Sequence, residues 1–150
     1  MIVVLQRVKK ASVQIEEKEF SSINKGLLVF VGIEETDSDE DINWLAVKIS
    51  NLRIFDDEKK VPNLSIKDIN AEILVVSQFT LHAQTKKGNR PSYIKAARPQ
   101  TAIPLYEKLI SALNSEIKSI CKTGQFGADM QVSLINDGPL TIIIDSKNKI

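Results

Sequence analysis

The stretch from Gly26 to Ile33 restricts the fold more than any other segment, because every residue in it is glycine or apolar. An unbroken apolar run of this length between glycines is typical of a strand that is buried on both faces. Such a strand needs a neighbour on each side and a packed layer on each face. We therefore expect Gly26–Ile33 to be a central strand of a covered sheet.

Other apolar segments predict the rest of that sheet. Ile2–Val8 and Ala11–Ile15 suggest an N-terminal hairpin, and the strand expected over Glu72–Phe79 carries a polar motif at its C-terminal end. Three further strands are expected, over Leu52–Phe55, Met130–Ile135 and Leu140–Ile144. The last two are separated by Asn136-Asp137-Gly138-Pro139, a sequence typical of a turn.

Two segments have the apolar spacing of helices. Asp37 or Ser38 can cap the first helix, and Thr101–Ser115 predicts the second. The apolar positions are Ile42, Leu45, Ala46 and Ile49 in the first helix, and Leu105, Leu109, Ile110 and Leu113 in the second. With 150 residues and 43% hydrophobic content, the chain has the size and core of one domain. We predict a single α+β domain over residues 1–150, with a mostly antiparallel or mixed multi-stranded sheet and two main helices.

The composition excludes several kinds of chemistry. The chain has one histidine and one cysteine, so an internal disulfide and a cysteine-rich metal site are both impossible. No acidic or histidine spacing resembles a metal site, and no glycine-rich nucleotide loop occurs. We expect no metal and no cofactor. With no signal-like N-terminus and no apolar run as long as a membrane span, we expect a soluble cytoplasmic protein without a membrane partner.

Charge is distributed unevenly along the chain. Glu34–Asp41 holds six carboxylates, which suit the start of the first helix, whereas Ile73–Tyr106 contains no acid. The cations of this acid-free stretch are Lys86, Lys87, Arg90, Lys95 and Arg98, together with His82. This pattern fits a surface that faces a polyanion such as nucleic acid, and it equally fits a solvated loop.

The motif Ser77-Gln78-Phe79-Thr80 offers hydroxyls, an amide and backbone N–H groups at a strand end. Either hydroxyl can be considered as an acyl nucleophile, but that role needs a base, and only His82 is near. No carboxylate follows to orient this imidazole, so we favour an exposed loop histidine over a catalytic one. The better use of the motif is electrostatic, with the N–H groups of Phe79 and Thr80 stabilising an oxyanion.

Three further features each have a structural and a functional interpretation. Gly138-Pro139 is either an ordinary turn or a place where a ligand approaches the backbone closely, and a cis bond is accessible there. Arg7 either faces water from its strand or holds a backbone carbonyl. Phe126 and Met130 either wall a pocket or belong to the core.

Taken together, these residues resemble the D-aminoacyl-tRNA deacylases of the bacterial and eukaryotic type. The resemblance runs nearly end to end, through Leu5–Val8, Ala11–Val13, Arg53–Phe55, Val75–Leu81, Gly88 with Arg90-Pro91-Ser92, Gly124–Gln131 and Asn136–Pro139. The main departures lie in the tail from Leu140 to Ile150, which is polar and lysine-bearing at its end. The resemblance implies a barrel-like homodimer that hydrolyses the ester of D-aminoacyl-tRNA, and of glycine carried by a non-cognate tRNA.

The resemblance also implies roles for particular residues. Ser77, Gln78, Phe79 and Thr80 would form the floor of the active site. Gly138-Pro139 would be a cis peptide inserted into the pocket of the partner subunit, braced by Arg7, with Phe126 and Met130 beside the substrate. Two routes for ester cleavage are considered, attack by Thr80 or water assisted by the 2′-hydroxyl of the terminal adenosine. The resemblance favours the second, which also suits a chain without a credible base for a nucleophile. The alternative to an enzyme is a dimeric RNA-binding or scaffold protein in which both motifs are turns.

Overall fold

The computed structural model describes residues 1–150 and places most strands in one mixed sheet. The strands are β1 (Ile2–Ile15), β2 (Lys18–Ile23), β3 (Gly26–Gly32), β6 (Glu72–Ser77), β7 (Lys122–Thr123) and β8 (Gln131–Asp145), with a separate pair of β4 (Phe55–Asp56) and β5 (Pro62–Leu64). The helices are α1 (Asp39–Asn51), α2 (Ile66–Ile69) and α3 (Pro99–Glu116), and a 3-10 turn covers Phe79–His82. No helix is both long enough and apolar enough to cross a membrane.

The long strand β1 organises this sheet. It pairs antiparallel with β2 and β3 along one edge and with β8 along the other, while β3 and β6 run parallel. The sheet curls until β2 approaches β7, where the Ser21 hydroxyl donates to the Thr123 carbonyl at 2.7 Å. The predicted α+β fold, with its barrel-like sheet, is confirmed.

Strand β3 is central and covered on both faces, as its sequence predicted. Leu27, Val29 and Val31 belong to a core of 23 buried residues that includes the inward sides of α1 and α3. Leu28 points to the opposite face, into a smaller core of seven residues inside the curl of the sheet. Alternate residues of β3 therefore point into two separate cores, which is why the sequence of this strand lacks polar residues.

The predicted N-terminal hairpin was wrong, and of the two interpretations of Asn136–Pro139 the ordinary turn does not hold. Residues 2–15 form one strand, because Lys9-Lys10 contains none of the residues that favour a hairpin turn. The chain instead reverses at Glu16 and Glu17, which have φ of 50° and 62°. Asn136–Pro139 does not reverse the chain either, because the segments on both sides of it pair with β1. The motif interrupts the register between Gln6 and Lys10, so that β8 is one strand with an irregularity at its centre.

Other boundaries moved by a few residues. The predicted strand Leu52–Phe55 is Phe55–Asp56, because the preceding residues lack a strand partner. The second helix begins earlier than expected, at Pro99, because proline suits a first helical position, where no N–H is needed. Ser38 is the N-cap of α1, and its backbone N–H donates to Asp41 at 2.9 Å, as the capping pattern predicted.

Asp41 also joins the start of α1 to the end of β8. Burial on its own raises the pKa of Asp41, but hydrogen bonds from Lys147, Ser146 and Ser38 outweigh burial and hold the pKa far below its ordinary value of 3.8. A carboxyl group with a depressed pKa stabilises the fold above its ordinary pKa, and that contribution is lost as the pH falls.

Asp41→Asn is therefore expected to lower the free energy of unfolding at neutral pH by about 1.5–3 kcal/mol, the range for hydrogen bonds to charged groups. The difference from the unaltered protein should shrink as the pH falls below 3.8, the ordinary pKa of this carboxyl group. Denaturant unfolding across this pH range measures it. Asp39→Asn, which breaks an exposed pair with Lys108, is the matched control and should change stability by less than about 1 kcal/mol. Equal losses in the two variants would contradict a special role for Asp41.

Candidate active site

A cavity of about 290 Å³ opens at the C-terminal end of β6, beside the end of β3. Ser77, Gln78 and Phe79 form one side of it, and residues 126–130 form another. The remaining wall includes Val31, Ile33, Val76, Ala97, Ala102 and Val132. The cavity is thus lined mainly by apolar groups, with Ser77, Gln78 and Asp129 as its polar side chains.

The motif Ser77-Gln78-Phe79-Thr80, called the floor motif below, turns sharply where β6 ends. The Gln78 N–H donates to the Val31 carbonyl at 2.7 Å, and the next backbone donor paired across the turn is Leu81, to the Gln78 carbonyl at 3.2 Å. Phe79 and Thr80 occupy the first positions of the 3-10 turn, whose N–H groups lack partners within the turn. Two backbone donors, one of them on the cavity-lining residue Phe79, are thus left for another acceptor.

Neither hydroxyl of the motif faces a base. The Gln78 amide donates to the Thr80 hydroxyl, and Thr80 does not line the cavity. The expectation of an exposed His82 was wrong, because the 3-10 turn folds this side chain inward to 6% exposure. Its Nε2 has no hydrogen-bond partner, and its ring packs at Gly32, where a Cβ would lie 3.1 Å from the ring. The imidazole therefore fills space under the turn.

The wall opposite the floor rests on α3. Phe126 packs against Tyr106 with ring centroids 5.9 Å apart, and the Tyr106 hydroxyl donates to the Val75 carbonyl at 2.9 Å. Burial raises the pKa of Tyr106, so its hydroxyl stays protonated and keeps this hydrogen bond. Met130 lies over Gly124, where a Cβ would come within 2.5 Å of the sulfur atom. Phe126 and Met130 are therefore walls of the cavity as well as packed side chains.

Glu35 fixes the N-terminus of α3, which carries Ala102 into the cavity wall. Its carboxylate accepts from the Arg98 N–H at 2.7 Å and from the Thr101 hydroxyl at 2.8 Å. The hydrogen bond from Arg98 is the main reason that the pKa of Glu35 lies below its ordinary value. Sequence patterns did not predict Tyr106, Ala97 or Ala102 as site residues, because a buried tyrosine and helix alanines look like ordinary core.

Gly138 and Pro139 lie elsewhere, exposed at the centre of β8, and the peptide bond between them is cis. Arg7 braces this segment: its Nε donates to the Asp137 carbonyl at 2.9 Å, and its Nη1 donates to the Ile54 carbonyl at 2.5 Å. Asn136 closes the irregularity by donating to the carbonyls of Arg7 and Leu140, at 3.0 and 2.9 Å. None of Arg7, Gly138 and Pro139 lines the cavity of its own chain.

The predicted polar loop runs between the 3-10 turn and α3. Gln84 and Ser92 pair through two backbone hydrogen bonds, and Ala97 donates to the Ile33 carbonyl at 2.8 Å, so that both ends are fixed near the cavity. Its five cations, Lys86, Lys87, Arg90, Lys95 and Arg98, are exposed, and none forms an ion pair.

Comparison with known proteins identifies the family to which this architecture belongs. The family model described as D-Tyr-tRNA(Tyr) deacylase matches residues 4–145. The chain belongs to this deacylase family. Proteins named D-aminoacyl-tRNA deacylase from Flavobacterium psychrophilum and Cytophaga hutchinsonii are 66% and 62% identical to it, each over 99% of both chains. The family predicted from the sequence motifs is thus confirmed, and these relatives are named as enzymes.

Solved structures show the same deacylase fold. A protein named c-Myc DNA Unwinding Element Binding Protein superposes with a TM-score of 0.92 at 39% identity, covering 97% of this chain and 98% of the other. A probable eukaryotic D-amino acid tRNA deacylase superposes with a TM-score of 0.80 at 17% identity, covering 95% of this chain and 97% of the other. The second likeness concerns the fold alone.

Proposed function

We propose that this deacylase family member hydrolyses the ester bond of D-aminoacyl-tRNA, releasing free tRNA and the D-amino acid. One observation carries the proposal: a small cavity borders the start of the 3-10 turn, where the Phe79 and Thr80 N–H groups lack partners within the turn, and no hydroxyl there is bonded to a base. Such a site suits a substrate that is already activated, because it supplies positioning and charge stabilisation. Aminoacyl-tRNA is made and used in the cytoplasm, so the proposed activity belongs there.

In this proposal the floor stabilises the tetrahedral intermediate. The N–H groups of Phe79 and Thr80 donate to the carbonyl oxygen of the ester as it becomes negative. The apolar walls strengthen this interaction by excluding water. Gln78 holds the turn that presents these donors, through its N–H to the Val31 carbonyl and its amide to the Thr80 hydroxyl, and Ser77 lines the cavity beside it. No metal or cofactor takes part in this scheme.

Selection for the D-enantiomer is proposed to come from the partner subunit of a homodimer. Gly138 and Pro139 are exposed, are braced by Arg7 and do not line the cavity of their own chain, so in this proposal a two-fold axis brings them to the cavity of the partner. Their carbonyl groups would hold the α-ammonium group of the substrate. An L-residue would then direct its Cβ into this backbone wall, whereas hydrogen fits there, and glycine is accepted because it has no Cβ.

Ester cleavage is proposed to use the substrate's own 2′-hydroxyl. Water attacks the ester carbonyl carbon and loses its proton through the 2′-hydroxyl of the terminal adenosine. The bond to the 3′-oxygen then breaks, and that oxygen takes up a proton. The engaged hydroxyl of Thr80 and the buried ring of His82 support this route over a covalent one.

The exposed cations of the 84–98 loop are proposed to hold the acceptor end of the tRNA through its phosphates. Each phosphate contact releases condensed counterions, so binding should weaken as salt rises, with little dependence on sequence. Lys86→Ala and Arg90→Ala should each reduce the slope of log Kd against log salt by about 0.7 to 0.9. A salt titration of tRNA binding measures this change, and Lys59→Ala, in the exposed β4–β5 turn, is the control. An unchanged slope in both loop variants would contradict the proposed contacts.

A non-enzymatic nucleic-acid-binding role is the second candidate, favoured by the name of the solved relative at 39% identity, which refers to DNA binding, and by the acid-free loop. Incubation with D-tyrosyl-tRNA, L-tyrosyl-tRNA and glycine on a non-cognate tRNA separates the two functions. Release of D-tyrosine and glycine without L-tyrosine supports the deacylase. Release of none of the three supports the binding protein.

A further inference from the structure

An aromatic pair stands outside the cavity with its rings open to solvent. Phe79 and Tyr93 lie in edge-to-face contact, with centroids 5.1 Å apart and planes at 75°. They are 55% and 39% exposed, although large apolar surfaces of this kind are normally covered. Phe79 lines the cavity and Tyr93 does not, so Tyr93 is the next ring outward from the cavity.

The main chain holds Tyr93 in place. Ser92, directly before it, is paired with Gln84, and the Tyr93 carbonyl accepts from the Ala96 N–H at 3.0 Å. Ala96 in turn forms a β-bridge with Glu34, next to the end of β3. A ring on a backbone fixed at both ends loses little freedom when a flat ligand covers it.

The charge around this pair indicates what covers it. Tyr93 lies between Arg90 and Lys95, in a segment without a single acid, and neither cation is neutralised by an ion pair. Exposed aromatic rings among unpaired cations are the combination that binds single-stranded nucleic acid, with the rings taking the bases and the cations taking the phosphates. A protein partner with apolar surface would leave these cations unmatched.

We propose that Tyr93 is a stacking platform for the base of the nucleotide that precedes the terminal adenosine. This inference rests on the proposed function, because it takes the aminoacyl group to occupy the cavity. The terminal nucleotide is joined directly to that group and therefore meets Phe79 at the rim. The preceding base then reaches the next ring, Tyr93, in the unpaired end of the tRNA. Stacking of this kind tolerates any base, so it adds affinity without restricting the tRNA.

The test measures how tightly two proteins, the unaltered chain and Tyr93→Leu, bind two RNA probes. Each probe is a short RNA hairpin with an unpaired CCA end, to which D-tyrosine is attached by an amide that the enzyme cannot cleave. In the second probe the nucleotide before the terminal adenosine lacks its base. We expect the unaltered protein to bind the second probe roughly 5- to 150-fold more weakly, the range for one base–aromatic stack.

Tyr93→Leu should bind the complete probe more weakly by a similar factor and should not distinguish the two probes. Tyr93→Phe should behave as the unaltered protein, and Ile94→Ala, 82% exposed beside it, is the control. Equal weakening of both probes by Tyr93→Leu, no weakening of either, or loss of the dimer in this variant would each overturn the proposal. Release of D-tyrosine by the unaltered protein is measured separately, and its absence would instead contradict the proposed function.

Discussion

Gly138→Ala is expected to lower the rate of D-tyrosine release from D-tyrosyl-tRNA by about 100-fold or more, the loss that follows when a group at a reaction centre is misplaced by roughly 1 Å. Gly138 has φ of 140°, a conformation that side chains disfavour. A Cβ there would lie 3.0 Å from Nη2 of Arg7 and 3.1 Å from the Leu140 nitrogen. The backbone would have to shift, and the proposed wall for the α-carbon substituents would shift with it.

Gly88→Ala is the matched control for this substitution. Gly88 also has a positive φ, of 68°, but a Cβ there would meet nothing within 4 Å. It should therefore show the conformational cost alone, about 1–2 kcal/mol of stability, and keep its activity. Rates of release from D- and L-tyrosyl-tRNA, together with thermal unfolding, measure both variants. Full activity in a folded Gly138→Ala protein would contradict a role for this backbone in the site.

Replacing the terminal adenosine of the substrate by its 2′-deoxy form is expected to slow release by about 10²- to 10⁴-fold, the range for a lost proton-transfer group. The reason is that neither hydroxyl of the Ser77–Thr80 motif is hydrogen-bonded to a base: the Thr80 hydroxyl is engaged by Gln78, and His82 is buried beneath the turn. Single-turnover hydrolysis of the two substrates by the unaltered enzyme measures the effect.

Thr80→Val distinguishes this route from covalent attack, because valine keeps the shape of threonine and removes its hydroxyl. We expect the variant to retain most of its activity and to stay dependent on the 2′-hydroxyl. The reverse pair of results, with Thr80→Val inactive and the 2′-deoxy substrate fully active, would make Thr80 the nucleophile. An acyl-enzyme trapped on Thr80 would lead to the same conclusion.

The sequence predicted those parts of the fold that depend on local patterning. The double-faced burial of β3 follows from a run that lacks polar positions, and the start of α1 follows from the pairing of Ser38 with Asp41. Both features concern residues close together in the chain. The C-terminal position of the floor motif on β6 was predictable for the same reason.

The features that the sequence did not predict depend on contacts between residues far apart in the chain. Nothing within Asn136–Pro139 reveals that β1 continues past it as a pairing partner, so the sequence left both a turn and a functional backbone motif open. The burial of His82 depends on a glycine fifty residues earlier, Gly32, which leaves room for the ring. Likewise, the contact between Phe79 and Tyr93 requires the loop to return to the cavity, and no periodic pattern encodes that return.

Part of the cavity lining was predictable from motifs, whereas its geometry was not. Residues of the floor and of the Phe126–Met130 wall do meet at one cavity, but the brace formed by Arg7 unites three distant segments through carbonyl oxygens. Backbone acceptors have no sequence signature, because every residue carries one. A site built from the main chain is therefore recognised through its relatives or its structure.

The central claim, that Gly138-Pro139 acts on the cavity of the other subunit, is tested most directly by a mixed dimer. One subunit carries Gly138→Ala, and the other carries Ala128→Trp, which places bulk in the cavity wall. Each homodimer should be inactive. If the motif is donated across a two-fold axis, the purified heterodimer combines one intact cavity with one intact motif and should recover about half of the unaltered activity. A heterodimer as inactive as both homodimers would show that motif and cavity act within one chain, and would contradict the account.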